Sequence, residues 1–456
     1  MNKKITVNLA VAIAILAMTV TFAVTMLVSM RMFDRTVARV RAKETMYNKL
    51  AEIDRSVRAN FYGEINEDTL NDMLAAGYLA GIGDKSATYY TAKQYNEWKG
   101  IQSGKVIGVG ADVVKDAGGY ARIVRVYPGS PASDAALGKS MFITKIGETD
   151  VKTLSLSQIN AQLRGEAGTS VIITVLDQTQ GTEAPMELQR RQYDRSTVFY
   201  EVPAGRTTGY IQITGFADTT ASELTAAVEA MQTGEAPITA LVIDVRNNSS
   251  GSLENAMDAI DALCGVGPIA SRQDKTGTKL LDTSDNKEID LPVAVVVNGG
   301  TAYGAELFAT SVRDFGKGRI VGVTTAGQGT IKCDPVALSD GSAIDYQIGI
   351  LLTKNGESFD KVGVKPDVEV ALKAEEEANF YSLTLDTDTQ LLKAFETADL
   401  LVNNQAGQAS GDSSAPPEDA SVPPEGEPAV IPEGEPVPPE TEGSAPASVP
   451  ESAPAA

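Results

Sequence analysis

Residues 293–330, VAVVVNGGTAYGAELFATSVRDFGKGRIVGVTTAGQGT, narrow the possible folds more than any other part of the chain. Val293 to Val297 is an unbroken apolar run that ends in Asn298-Gly299-Gly300, the pattern of a strand covered on both faces. In the AYGAELFATSVRDF that follows, apolar residues recur at helical spacing, with Gly316 and Gly318 just beyond the end. RIVGV reads as a second short strand, and Gly327-Gln328-Gly329 as a glycine-rich turn. Strand, sharp turn, helix and strand in this order present a side chain at the mouth of an α/β sheet.

The totals exclude several classes of function. A chain of 456 residues has room for two or three folded units. Its net charge of −21 argues against a nucleic-acid partner, because nothing broad is available to neutralise phosphate. Histidine is missing altogether, which removes every Ser-His-Asp or Cys-His arrangement and every histidine-ligated metal; no metal and no cofactor is expected. Cys264 and Cys333 are too few for a zinc site, and whether they pair stays open, since their separation in space cannot be read here.

Behind a short tail, residues 1–4, residues 5–30 are apolar and nearly uncharged. As a helix they would reach about 39 Å, enough to span a bilayer with some tilt, and no signal-peptide exit is visible. A single-pass anchor in the cell membrane is therefore expected. Arg31, Arg35, Arg39, Arg41 and Lys43 after the span outnumber Lys3 and Lys4 before it, which by itself favours a cytoplasmic C-terminal side. Residues 31–99 read as helical, with Leu50, Ile53, Val57 and then Leu70, Met73, Leu74 at three- and four-residue steps. AGYLAGIGDKSATYY within it is expected to be a packing helix followed by a turn at Gly83-Asp84.

Residues 100–195 carry short β-branched strands around two helices, with turns at Pro128-Gly129 and Gly147. From 196 to 372 come an alternating strand, TTGYIQITGF, an amphipathic helix closed by Gly234, a buried strand opening into the polar turn of ALVIDVRNNSSGSL, and a hairpin signal at Asp340-Gly341. Helical turns are expected over 373–402. Residues 403–456 are Pro, Glu, Ala and Ser with no Lys or Arg, and bury too little to offset ordering, so a disordered acidic tail is expected.

Roughly residues 45–372 resemble the C-terminal processing (tail-specific) serine peptidases, with Asn298, Glu306, Asp314, Gly322, Gly327 and Gly329 falling in register without a gap. The resemblance implies an α/β core at 196–372, a ClpP/crotonase-like mixed sheet with flanking helices, and an inserted PDZ domain at 100–195. It also implies that the folded domains lie outside the cytoplasm. In that family a serine nucleophile sits at the sharp turn, a lysine base twenty-five residues on, and a glutamine four residues later. Here Tyr303 holds the nucleophile position, Gln328 the base position and Lys332 the glutamine position. The family's oxyanion turn reads Asp-x-Arg-x-Asn-Pro-Gly-Gly. This chain keeps Asp244, Arg246 and Asn248, has Ser249 for the proline and Ser250 for the first glycine, and retains Gly251; Gly304 belongs to the same region. Gly363-Val364-Lys365-Pro366-Asp367 matches the closing motif.

The Pro-Gly-Ser-Pro-Ala segment at 128–132 is what resembles a PDZ domain, whose groove takes a peptide as an added edge strand and its terminal carboxylate on backbone N–H groups. That carboxylate loop is assigned to Ile107-Gly108-Val109-Gly110; the competing reading is ordinary glycine punctuation of strands. Gly138-Lys139-Ser140-Met141 replaces the family's Gly-Asp, so peptide preference can differ.

The replacements decide the chemistry. A Ser-Lys site needs a hydroxyl that attacks and a neutral amine that takes its proton. A carboxamide such as Gln328 has no titratable lone pair, and a phenol such as Tyr303 is bulky where a small hydroxyl must swing. Loss of the nucleophile alone costs on the order of 10⁶ in turnover in a serine protease of another fold, roughly 8 kcal/mol. No catalytic residue is expected. The chain reads as an inactive adaptor or regulator that binds peptide or protein C-termini. The alternative is an active serine-type endopeptidase with a non-standard arrangement, in which Lys332 lies beside Tyr303 and lowers the phenol pKa. In the bland reading Lys332 instead bonds to Asp314 or to solvent, and Asp244–Arg246 is a structural ion pair. Ser311 and Ser342, on a helix and a hairpin, are not placed to replace the nucleophile. The oligomeric state is left open, with a homodimer among the forms allowed.

Overall fold

The computed structural model describes residues 7–411 except 140, 235 and 286, with side chains described for 16–32 and for 43–404 less those three positions. The chain divides into two compact units, 1–403 and 404–456. Ser140 lies outside the described residues, as does the expected tail from 412 onward.

The first unit is a mixed α/β structure around a six-stranded sheet. Its order is Val198–Glu201, Thr208–Ile213, Ala240–Asp244, Val293–Val297, Gly318–Gly322, Val368–Glu369. The first pair is antiparallel and the rest are parallel. Parallel strands need cover on both faces, and the period-two pattern of these strands supplies two apolar faces. Leu241, Ile243, Val293, Val295 and Val297 turn toward the helices Thr220–Gln232, Leu253–Leu263 and Gly304–Asp314. Ala240, Val242, Ala294, Val296 and Val321 turn the other way, onto Leu391, Ala394, Phe395 and Ala398 of the helix Thr389–Gly411. That helix runs past the end expected at 402, because no proline interrupts it before Pro416.

A second, antiparallel sheet, Gly277–Ser284, Gly267–Asp274, Gln347–Thr353, Thr330–Lys332, flanks the first. Residues 111–189 build another sheet, ordered Ala111–Lys115, Ala121–Val126, Met141–Ile146, Ser170–Asp177, Thr182–Gln189, with its own apolar core. The helix Leu156–Leu163, held at its N-terminus by a Ser155/Gln158 capping box, supplies Ile159 and Leu163 to that core.

Two features of the N-terminal region add to what was expected. One helix, Val7–Asn60, runs through the boundary expected at 30/31 and is followed by Glu67–Gly81. The end of AGYLAGIGDKSATYY is a strand, Thr88–Tyr90, paired antiparallel with Ala343–Asp345. Its β-branched and aromatic residues were the signal, and pairing to a remote edge is what a local reading cannot see. Among the described residues no helix is long and apolar enough to cross a membrane. The span expected at 5–30 falls in part outside them, since residues 5 and 6 and the side chains of 7–15 are not described.

Candidate active site

Tyr303 stands where the strand Val293–Val297 turns into the helix Gly304–Asp314, with φ 57° and ψ −115°. A non-glycine residue held there stores strain on the order of 1–3 kcal/mol, and such a bend is how a strand–helix turn pushes one side chain out of the sheet. Two clasps hold it. Asn298 accepts from the Asn247 and Gly300 amides at 3.0 Å each and donates to the Asn247 side chain at 3.0 Å, which ties this strand end to the neighbouring one. The second clasp is Glu306, which is fully buried.

Glu306 accepts four hydrogen bonds, and they join the two halves of the site. Its Oε2 takes the N–H of Tyr303 at 3.0 Å and of Gln328 at 2.8 Å. Its Oε1 takes the N–H of Gly327 at 2.7 Å and the hydroxyl of Thr325. Thr325 Oγ1 in turn accepts from Val364 N–H at 2.7 Å, inside the closing motif. One carboxylate thus fixes the main chain at the nucleophile position, the base position and the end of the core together. Sequence reading had Glu306 only as a register mark; no local pattern reports that an acid on one turn serves another about twenty residues on.

The side chains at the three positions have different surroundings. The Tyr303 ring packs on the main core. Burial pushes its phenol up to about 12, opposed by a hydrogen bond with the Lys332 main chain and supported by the charges of Asp334 and Asp345. Gln328 is exposed, with only its main chain engaged by Glu306. Lys332 Nζ lies 3.4 Å from Asp345 Oδ1 and 3.4 Å from Thr88 Oγ1. Asp314, one of the alternatives weighed for Lys332, is beside Arg313 at 3.6 Å. The phenol is raised rather than lowered. Asp345, which sequence reading missed, is the hub: Tyr90 donates to it at 2.8 Å and the Thr88 amide at 2.9 Å.

The phenol's behaviour is testable. A folded-state value of about 12 against an unfolded value of about 10 means that Tyr303 stays protonated where the unfolded chain ionises. Its contribution to stability is complete below pH of about 10 and is lost as pH rises toward about 12. In an absorbance titration, the difference between native protein and Tyr303→Phe should show one phenol ionising near 12; ionisation at or below the ordinary tyrosine value of about 10 would contradict the placement.

The oxyanion region is close at hand. Gly251 has φ +105°, and a Cβ there would lie 2.1 Å from Phe216 O; a Cβ on Gly304 would lie 3.6 Å from the Phe216 ring, so Phe216 touches both. Ser250, in place of the family's first glycine, turns its hydroxyl onto Thr214 O at 3.3 Å. Asn248 supports the turn, donating to Ile213 O at 3.0 Å and accepting from Ala302 N–H at its carbonyl at 2.9 Å. Asp244 and Arg246 form a buried pair, at 2.8 and 3.0 Å. Ser311 is buried in the helix, and Ser342 donates to Asp340 at 2.6 Å in the hairpin. Cys264 and Cys333 are both free thiols. Among the described residues no group of three or more His, Cys, Asp or Glu side chains is placed to hold a metal ion.

Ile107-Gly108-Val109-Gly110 is drawn tighter than an open loop. Ile107 and Gly108 belong to the strand Lys105–Gly108, paired with Arg191–Asp194. The Val109 amide donates to Leu163 O at 3.2 Å, and its carbonyl accepts from Ala132 N–H at 2.8 Å. Gly110 has φ +80°, and a Cβ there would meet Ser130 Cβ at 2.1 Å, so glycine is required. The segment leads into Ala111–Lys115, the edge strand of its sheet, on which the helix Leu156–Leu163 packs.

A strained strand–helix elbow on a mixed sheet, beside a glycine-bearing turn, is an arrangement that holds one side chain out at the sheet's mouth. Residues 207–370 match peptidase family S41. The chain is 28% identical over 331 residues to the carboxy-terminal processing protease CtpA of Bacillus subtilis (strain 168), covering 72% of this chain and 70% of that protein. It is 27% identical over 327 residues to the probable CtpA-like serine protease of Staphylococcus aureus (strain MRSA252), covering 71% of this chain and 64% of the other. Among solved structures, the photosystem II D1 C-terminal processing protease is similar with a TM-score of 0.45 at 24% identity, covering 70% of this chain and 86% of that one. The match to peptidase family S41 thus lies in residues 207–370, and over 72% of its length the chain is similar to a C-terminal processing protease.

Proposed function

We propose that this S41 chain is catalytically silent and binds peptide or protein C-termini through residues 100–195, acting as an adaptor or regulator. The observation that carries the reading is the chemistry and surroundings of the three side chains: a phenol raised by burial on the elbow, an exposed carboxamide at the base position, and a lysine engaged by Asp345. None of them is placed to take a proton from an attacking hydroxyl. The resemblance of residues 100–195 to a PDZ domain supports the binding half. So does an edge strand, Ala111–Lys115, behind a glycine that no side chain could replace.

In the same reading, residues 5–30 anchor the chain in the cell membrane, with the folded part outside the cytoplasm. What supports an anchor is the uncharged, mostly apolar stretch from Leu16 to Met30; Leu16, Phe22 and Leu27 are 66%, 71% and 61% exposed. Binding is tested with a peptide ending in apolar residues, free or amidated at its C-terminus. The free acid should bind at least tenfold more tightly and be recovered intact; equal affinity would remove the carboxylate site at Ile107–Gly110.

A further inference from the structure

The helix Leu156–Leu163 lies along the edge strand Ala111–Lys115, and contacts at both ends fix the pair. At the near end, beside Ile107–Gly110, the Val109 amide donates to Leu163 O at 3.2 Å. In between, Val113, Ile159 and Leu163 share one apolar core, with Ala111 packed against it. Side chains alternate along a strand, so Lys115 falls on the same face as Ala111 and Val113. At the far end its ammonium donates to Lys152 O at 3.2 Å, in the turn Val151–Thr153 that leads to the helix.

Two positive charges therefore mark the far end. Lys152 carries its own ammonium over the Tyr120 ring, 4.1 Å from the centroid. The neighbouring acids are engaged by main-chain donors: Asp116 accepts from the Tyr120 amide at 2.7 Å and Asp150 from the Lys152 amide at 2.8 Å. The two elements match in length, since five strand residues rise about 13 Å and eight helical residues about 12 Å. A peptide whose carboxylate sits at the near end runs antiparallel to Ala111–Lys115. At about 3.3 Å per residue it reaches the lysines about four residues before its last one.

We infer that Lys115 and Lys152 select peptides bearing Asp or Glu about four residues before an apolar C-terminal residue. The exposed side chains of Ile107 and Leu156 supply apolar surface for the rest of the ligand. The inference rests on the carboxylate site proposed at Ile107–Gly110 and adds the part of the ligand that is read by charge.

Three labelled peptides test it, alike except for Glu, Gln or Lys four residues before a free apolar C-terminus. They are titrated against the full chain in a mild detergent by fluorescence anisotropy. Two ammonium groups at a partly solvated site should favour Glu over Gln by about fivefold, with Lys the weakest. Raising salt from about 0.1 M to about 1 M shortens the screening length from about 10 Å to about 3 Å and should shrink the preference. Lys115→Gln/Lys152→Gln should make the Glu and Gln peptides bind alike. Equal binding of Glu and Gln to the native chain, or a preference that survives in the double variant, would overturn the inference. Amidating the Glu peptide keeps the two failures apart. A loss on amidation without a Glu preference leaves the carboxylate site standing and removes the lysines' role; no loss, or no binding by any peptide, removes both.

Discussion

Glu306→Ala is expected to lower folding stability by about 4 kcal/mol, the largest effect of any single substitution near the elbow. The carboxylate is fully buried and takes four donors, three of them main-chain N–H groups. Each donor left without a partner away from water costs about 1–3 kcal/mol. Glu306→Gln should recover only part of the loss, because its amide would point N–H groups at N–H groups. Chemical denaturation with a fitted slope separates this from a change in compactness. A loss below about 1 kcal/mol would mean that the elbow and the glycine turn are held by something other than this acid.

Arg246→Ala should cost a comparable amount, about 3–5 kcal/mol. The guanidinium is 3% exposed, lies 2.8 Å from Asp244 and 2.8 Å from Asp388, and donates to Gln390 at 3.0 Å. It therefore joins the end of a central strand to the start of the helix that covers the far face of the sheet. Its removal leaves two buried carboxylates facing each other with no cation between them. Because both pairs are buried, the loss should be nearly the same at low and high salt. A loss that shrinks steeply with added salt would place the pair at the surface.

The core of the fold was legible because its signals are local. Val293–Val297 could hardly be anything but a buried strand, and the spacing in 302–315 required the helix that follows. The register of Tyr303, Gln328 and Lys332 could be read because the glycines and acids around them left no room for a gap. The partners of those residues were not legible. Lys332 was weighed against Asp314 and Tyr303, but its ammonium pairs with Asp345, delivered by a hairpin whose return strand sets its position. Thr88–Tyr90, beyond the expected turn at Gly83-Asp84, was not read as a strand because its partner lies more than 250 residues away. The Ile107–Gly110 segment was read from its glycines, yet a cross-strand pairing and the Leu163 carbonyl take up much of its main chain. In each case periodicity described the element and distant pairing decided the contact.

The most direct measurement is the cleavage of unfolded proteins with apolar C-termini by the purified chain, read by mass spectrometry. No fragments above the rate without protein are expected, and Tyr303→Phe and Lys332→Ala should leave that blank unchanged. Fragments that disappear with either substitution would contradict a silent site.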